Sequence, residues 1–468
     1  MEYSELADYP LHGGQTIGWV PTAHPSAWRR DHRPLSTDHE THVACATDAP
    51  DAAAGSWIGT AFRVDGPLDT DAFGAAVGGW IARHEAYRTT AVPAVGGRGF
   101  TRATVPAEAI TIEARSAPRP RGSAEICSRI EAFFADAVSA VRWPHLAVVT
   151  VEPDPASPWF TVVFAADHAV MDAYTQVIAI AELTELYRAR VQGRAPLLPP
   201  VGSYVDFSAF ERAVDDALDH DHPVVRRWAE FLGADRSLPS FPLPVRRPAG
   251  DTAPDLQASL SRWLLDADAT EAFVVAAKGF GGSQTSGFLS AVKTALGRLG
   301  ADGLRFVMPM HTRSAPEFAA AAGWFVGVMP VDDPIGRAAS FGETIAGTSA
   351  AIRANRDVVP FSLPRVTSIL DVPGRPEFVV SFVDGRAIPG ADAWTEHERA
   401  LRSRVRSGSE VYLWINRAVG GLNLSMRYPN NEIAASSVHA FVAEFAAVLS
   451  EVVETGDAAL GRPVRIVQ

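Results

Sequence analysis

The sequence predicts an α/β fold in two lobes, and three observations carry that reading. Segments with strand character alternate with segments of helical periodicity through both halves of the chain. The 468 residues, 47% of them hydrophobic, supply apolar side chains for two full cores, since a domain takes roughly 100–200 residues. Gly193, Pro196, Pro199 and Pro200 interrupt the pattern, because glycine closes a helix and proline cannot continue one. We therefore divide the chain into a first lobe over residues 1–200 and a second over 201–468.

In the first lobe, residues 15–20 form the first strand candidate. The segment up to residue 40 is rich in Pro, His and Gly, so His39 and His42 read as loop or strand-end histidines. Their His-x-x-His spacing lacks further ligands at a distance usual for a metal site. A strand at 58–64 leads through Pro67-Leu68-Asp69-Thr70 into a helix. There Phe73, Ala76, Val77, Trp80 and Ile81 recur at i, i+3, i+4, i+7 and i+8, a core-facing stripe. The helix runs into Arg83-His84, basic residues that suit a helix C-terminus. Strands are expected at 101–105 and 111–115, and a helix at 123–138. Strands at 146–151 and 159–166 flank the turn-rich residues 153–158.

In the second lobe, helices are expected at 205–218 and 223–232. Pro239, Pro242, Pro244 and Pro248 then mark a long connection. A strand at 256–265 and a helix at 269–278 precede Gly279-Phe280-Gly281-Gly282-Ser283. No Gly-Lys-Ser/Thr follows that run, so it is not a phosphate loop; Ser283 caps the helix at 284–299. Strands at 305–310, 378–383, 411–417 and 422–428, a helix at 434–453 and a short strand near Val464 complete the reading. The strands at 411–417 and 422–428 pair across Gly420-Gly421.

Composition excludes several function classes. A net charge of −12 argues against nucleic acid as a partner. Cys45 and Cys127 have neither a metal-ligand nor a redox spacing, which fits a reducing cytoplasm. The N-terminus lacks the basic and apolar regions of a signal peptide. No apolar run approaches the ~18 residues that a membrane span needs. A cytoplasmic monomer is expected.

Chemistry concentrates in Asp167-His168-Ala169-Val170-Met171-Asp172-Ala173. This segment joins an apolar strand to a helix expected over 174–190. An imidazole at such a turn takes a proton near neutral pH. An aspartate at the helix start caps it and holds a neighbouring loop. No Ser or Cys lies in a Gly-x-Ser-x-Gly setting, so a covalent nucleophile of that kind is not expected.

The stretch resembles the His-His-x-x-x-Asp-Gly motif of condensation domains and related acyltransferases, the chloramphenicol-acetyltransferase-like superfamily. Asp167 and His168 stand where the two histidines stand, Asp172 matches the aspartate, and Ala173 replaces the glycine. Gly323-Trp324-Phe325…Pro330 resembles a further superfamily run, with Gly327 where an asparagine usually stands. Ser381-Phe382-Val383-Asp384-Gly385-Arg386, Trp414-Ile415-Asn416-Arg417 and Arg427-Tyr428-Pro429 are most similar to the stand-alone, polyketide-associated (Pap-type) acyltransferases of actinobacteria.

The resemblance implies two chloramphenicol-acetyltransferase-like lobes in a V-shaped pseudodimer. Donor and acceptor would enter a channel between the lobes from opposite faces. It implies His168 as general base, Asp172 as the residue that orients its loop, and Arg313 as the partner of Asp172. Asp167, Ala173, Trp324 and Ser381 become channel candidates. The implied co-substrate is an acyl thioester, on coenzyme A or on the phosphopantetheine of an acyl or peptidyl carrier protein. The acceptor is a small-molecule hydroxyl or amine, and no bound cofactor or metal is expected. Asp167, Asp172 and Thr175 also fit the Asp-x-x-x-x-Asp-x-x-Ser pattern of heterocyclisation domains, and some condensation-like domains recruit other enzymes instead of catalysing. Cyclisation and recruitment therefore stand beside acyl transfer.

Two further expectations concern charge. Arg399, Arg402, Arg404 and Arg406 fall within eight residues of a loop-like segment, a candidate docking patch for an acidic carrier protein. A carboxylate pointed at His168 would favour its imidazolium. Because side chains alternate along a strand, Asp167 is expected to face the lobe and to tolerate replacement by Asn.

Overall fold

The computed structural model describes residues 2–461 except 51–55, 95, 98, 118–119, 121, 155 and 248–255. The strand expected near Val464 lies outside the described residues. The first half contains β1 (Glu2–Ser4), β2 (Gln15–Ala23), β3 (Arg29–Asp31), α1 (Thr37–Asp48), β4 (Ile58–Asp65), α2 (Thr70–Arg83) and β5 (Thr89–Pro93). It continues with β6 (Phe100–Thr104), β7 (Ile110–Ala117), α3 (Ser123–Ala137), β8 (Leu146–Glu152), β9 (Trp159–Ala166) and α4 (Ala173–Val191). The second half contains α5 (Tyr204–Asp216), α6 (Pro223–Leu232), β10 (Gln257–Asp266), α7 (Ala267–Gly279), α8 (Gln284–Arg298), β11 (Gly303–His311) and β12 (Val326–Pro334). It closes with α9 (Phe341–Ala354), α10 (Leu363–Leu370), β13 (Phe378–Asp384), β14 (Arg399–Arg402), β15 (Val411–Ala418), β16 (Gly421–Pro429) and α11 (Glu432–Thr455).

Among the described residues these strands build two large mixed sheets, one per lobe. The first has the order β1-β14-β4-β9-β8-β2-β7 and the second β10-β16-β15-β13-β11-β12, with a small β3-β6-β5 sheet beside the first. β9 is a continuous apolar run because both its faces are covered: Phe160, Val162, Val163, Phe164, Ala165 and Ala166 are all inaccessible. The stripe of α2 packs with Phe160, Phe164 and the α4 residues Ile178 and Leu183 in one core. Asp69 caps α2 by accepting from the Ala72 amide at 2.9 Å. Ser283 and Ser286 form a reciprocal cap on α8, so the glycine-rich run before it is a helix entry.

The two halves interlock. β14 pairs with β1 and β4 and so completes the first sheet with residues from the second half. Tyr204, Phe207, Ala321, Ala322 and Phe325 belong to the first core. Gln176 on α4 donates to the carbonyls of Gly59 and Leu401 at 2.6 and 2.9 Å, fastening this crossing from behind.

The structure differs from the sequence reading in several places. His39 and His42 lie on a helix, α1, whose first turn Ser36 caps. That helix buries only His39, Val43 and Ala46, so it shows no apolar stripe to read. The segment 399–402 is a strand rather than a loop, because β1 and β4 offer it partners on both edges. β1, β3, β5, β12, α9 and α10 have no counterpart in the sequence reading. Finally, α11 is long and apolar enough to cross a membrane by length and composition. In the structure its Phe441, Phe445, Val448 and Leu449 fill the second core.

Gly327 sits on β12 opposite Met310. A Cβ built there would collide with the carbonyl oxygen of Val359, so this chain has no room for an asparagine. Gly327→Asn should destabilise the fold by about 1–3 kcal/mol, the usual range for overpacking. Urea unfolding reads the difference, and an unchanged midpoint would show that the 359 segment yields.

Candidate active site

The site begins where α4 begins. Asp172 is its N-cap and accepts from the amide and the hydroxyl of Thr175 at 2.7 and 2.8 Å. The same carboxylate accepts from Arg313 Nη1 at 2.6 Å, from Arg313 Nη2 at 3.1 Å and from the Phe325 amide at 3.1 Å. Arg313 also donates to the Ala321 carbonyl at 3.0 Å. Its guanidinium lies 4.4 Å from the Phe325 ring and 4.8 Å from that of Tyr174. Burial pushes the Asp172 carboxyl up, but Arg313 and the Thr175 hydrogen bonds hold it below the usual range. The pair is therefore ionised, bidentate and buried, with side-chain exposures of 6% for Arg313 and 1% for Asp172.

The turn that carries His168 is fixed from its other end by Asp167. The Asp167 amide donates to the His145 carbonyl at 2.8 Å. Its Oδ1 accepts from the Ala169 amide at 2.8 Å, capping the short 3-10 turn His168–Val170. Its carboxylate engages α1 rather than the His168 ring: Oδ1 is 3.0 Å from His42 Nε2. The cause is turn capping and not strand alternation, since β9 ends at Ala166. Burial opposes ionisation of Asp167, but His42 and the Ala169 amide bring its pKa down to about 2.

His168 packs against Trp324, with ring centroids 4.4 Å apart. It is half-buried, and its Nδ1 is buried with no hydrogen-bond partner among the described residues. Burial, and then the nearby His42, lower its pKa, so the imidazole is neutral at pH 7. His42 also touches Trp324, edge to face at 5.6 Å. It is the residue that sequence reasoning missed. The His39/His42 spacing was visible, but without α1 it had no direction.

The structure thus gathers His168, Asp172, Arg313, Trp324 and Asp167. Ala173 opens α4 in a helical conformation, so glycine is not required there. Ser381 lies on β13 opposite Trp414, and among the described residues no side-chain hydrogen bond joins it to the others. The docking patch is not a free basic surface. Arg399 pairs with Glu2 at 3.0 Å and Arg404 with Glu5 at 2.5 Å. Arg402 lies 3.4 Å over the Trp414 ring and 4.5 Å over that of Tyr3. Arg406 bridges to Leu256 through its backbone. Three of the four guanidiniums are committed to closing the sheet, because a strand flanked by Glu2, Tyr3 and Glu5 absorbs them. Arg83 and His84 are structural: both donate to Glu182, at 2.9 and 2.8 Å. Among the described residues no group of three or more His, Cys, Asp or Glu is placed to hold a metal ion.

Comparison with known proteins decides the family. The Condensation domain family matches residues 55–465. The chain belongs to that family. Acyltransferase PapA3 of Mycobacterium tuberculosis is 30% identical over 308 residues, 64% of this chain and 64% of the relative. The 2'-acyl-2-O-sulfo-trehalose (hydroxy)phthioceranyltransferase PapA1 of Mycobacterium bovis is 30% identical over 310 residues, 64% of this chain and 59% of the relative. Each match spans less than two thirds of the relative's length. Among solved structures, a PapA2 acyl transferase superposes with a TM-score of 0.85 at 23% identity, covering 97% of this chain and all of that one. The X-domain from teicoplanin biosynthesis gives 0.68 at 18% identity, covering 92% and 97%. The condensation-domain fold is shared throughout.

Asp172→Asn and Arg313→Ala should each cost about 3–5 kcal/mol of stability, because each strands a buried partner. In urea unfolding the double variant should lose far less than the sum, since the two share one interaction. Additive losses would show that they are energetically independent.

Proposed function

We propose that this protein is an acyltransferase that moves an acyl group from a thioester to a hydroxyl or amine, with His168 as general base. The observation that carries the reading is a neutral, partly accessible imidazole on a turn fixed at both ends. His168 Nδ1 is buried without a partner among the described residues, which leaves Nε2 to face an acceptor. Nε2 is then the nitrogen that takes the acceptor's proton as the acceptor attacks the thioester carbonyl. The carbonyl–sulfur bond breaks as the tetrahedral species collapses. The donor is a thioester of coenzyme A or of a carrier protein's phosphopantetheine.

The names of the relatives support a sugar acceptor. One is a trehalose-2-sulfate acyltransferase and another acts on 2'-acyl-2-O-sulfo-trehalose. We therefore put a sugar hydroxyl first, with an ester as product. The cyclisation alternative finds less support, because Asp167 is occupied by His42 and Asp172 by Arg313. A recruitment role would use none of this geometry.

The test is incubation with a panel of acyl-CoA thioesters and trehalose or trehalose 2-sulfate, with products weighed by mass spectrometry. His168→Ala should lower transfer by ~10²–10⁴-fold without loss of folding; an unchanged rate would remove the base role. Since the pKa of His168 lies below the ordinary ~6.5, its neutral form prevails above that pH. The acidic limb of the rate should therefore fall only below about pH 6.5. A limb centred well above it would point to another base.

A further inference from the structure

The motif position that lacks a histidine is paired with one from elsewhere in the chain. Asp167 holds His42 of α1 at 3.0 Å, and the two imidazoles, His42 and His168, contact the same Trp324 indole. Asp167 also caps the turn that carries His168, so one carboxylate sets the position of both rings. The side chain of His42 keeps 23% of its surface accessible, whereas that of Asp167 keeps 3%. The His42 side chain is thus partly accessible while the carboxylate that holds its Nε2 is buried, an arrangement that orients and charges a histidine for proton transfer.

We propose that His42, held by Asp167, is the acid of the reaction and gives its proton to the departing thiolate. The inference rests on the acyl-transfer reading above. The acceptor's O–H bond breaks and its proton goes to His168 Nε2, while the acceptor oxygen bonds to the acyl carbon. The acyl carbon–sulfur bond breaks, and the sulfur takes the proton from His42. Exchange with water then restores a neutral His168 and a protonated His42.

The electrostatics agree with this division. Burial lowers the pKa of His42, and Arg375 acts in the same direction, but Asp167 outweighs both and leaves it raised. Burial and His42 lower that of His168. Two groups pushed apart in this way sort into an acid and a base. An alkyl thiol has a pKa of about 8.5, so a proton passes downhill from an imidazolium to its thiolate. The earlier expectation that Asp167→Asn is tolerated is accordingly revised.

The experiment compares two donors with trehalose as acceptor. Octanoyl-CoA releases an alkyl thiolate that needs a proton; S-phenyl thiooctanoate releases a thiophenolate that leaves unaided. His42→Gln should slow octanoyl-CoA by at least ~10²-fold and the phenyl ester by less than ~3-fold. Asp167→Asn, nearly isosteric, should reproduce the pattern, and it decides the question if His42→Gln does not fold. His168→Ala should slow both donors alike. Equal losses on both donors in the His42 and Asp167 variants, or no loss on either, would overturn the inference. An unaffected His168→Ala would instead remove the base role proposed above, and a wild-type protein that transfers from neither donor would overturn the acyl-transfer reading, so the failures stay distinguishable.

Discussion

The Asp172 carboxylate accepts hydrogen bonds from the first turn of α4, from Arg313 and from the Phe325 amide. Those groups come from both halves of the chain, and the fixed fork of the guanidinium leaves them one relative arrangement. Burying two charges is expensive, and their attraction often does no more than offset it. The pair is therefore better understood as a device of position than of net stability. It sets the end of the turn on which His168 sits, and it brings Trp324, the neighbour of Phe325, against the His168 ring.

Asp167 does the corresponding work at the other end of the turn. Because its hydrogen bond goes to His42 rather than His168, the carboxylate raises the pKa of His168 too little to offset burial and His42. The same choice places an imidazole whose pKa is raised beside one whose pKa is lowered, across a single indole. Two buried carboxylates five residues apart in sequence thus have different tasks. Asp172 joins the halves, and Asp167 joins α1 to the turn that carries His168.

Much of this was legible in the sequence, for identifiable reasons. β9 reads as a strand because both faces are buried, and α2 because its stripe is regular. The motif could be located because it falls between β9 and α4. Arg313 could be assigned only through family resemblance, since no periodicity links residues 141 positions apart. α1 was invisible because a helix held by a cap and three buried residues carries little pattern, and His42 was lost with it. The arginines at 399–406 misled for another reason. Charge density suggests a solvated face, whereas aromatic rings bury a guanidinium, as Tyr3 and Trp414 bury Arg402.

If geometry rather than charge is what Arg313 supplies, then keeping the charge should not keep the function. Arg313→Lys retains a cation beside Asp172 and removes the bidentate fork and its contact with the Phe325 ring. The direct measurement is the rate of acyl transfer per folded molecule, with folding followed by circular dichroism. The account predicts a loss of at least ~10-fold in a protein that still folds, since small misplacements of a catalytic group are costly. A folded Arg313→Lys protein with the wild-type rate would contradict it.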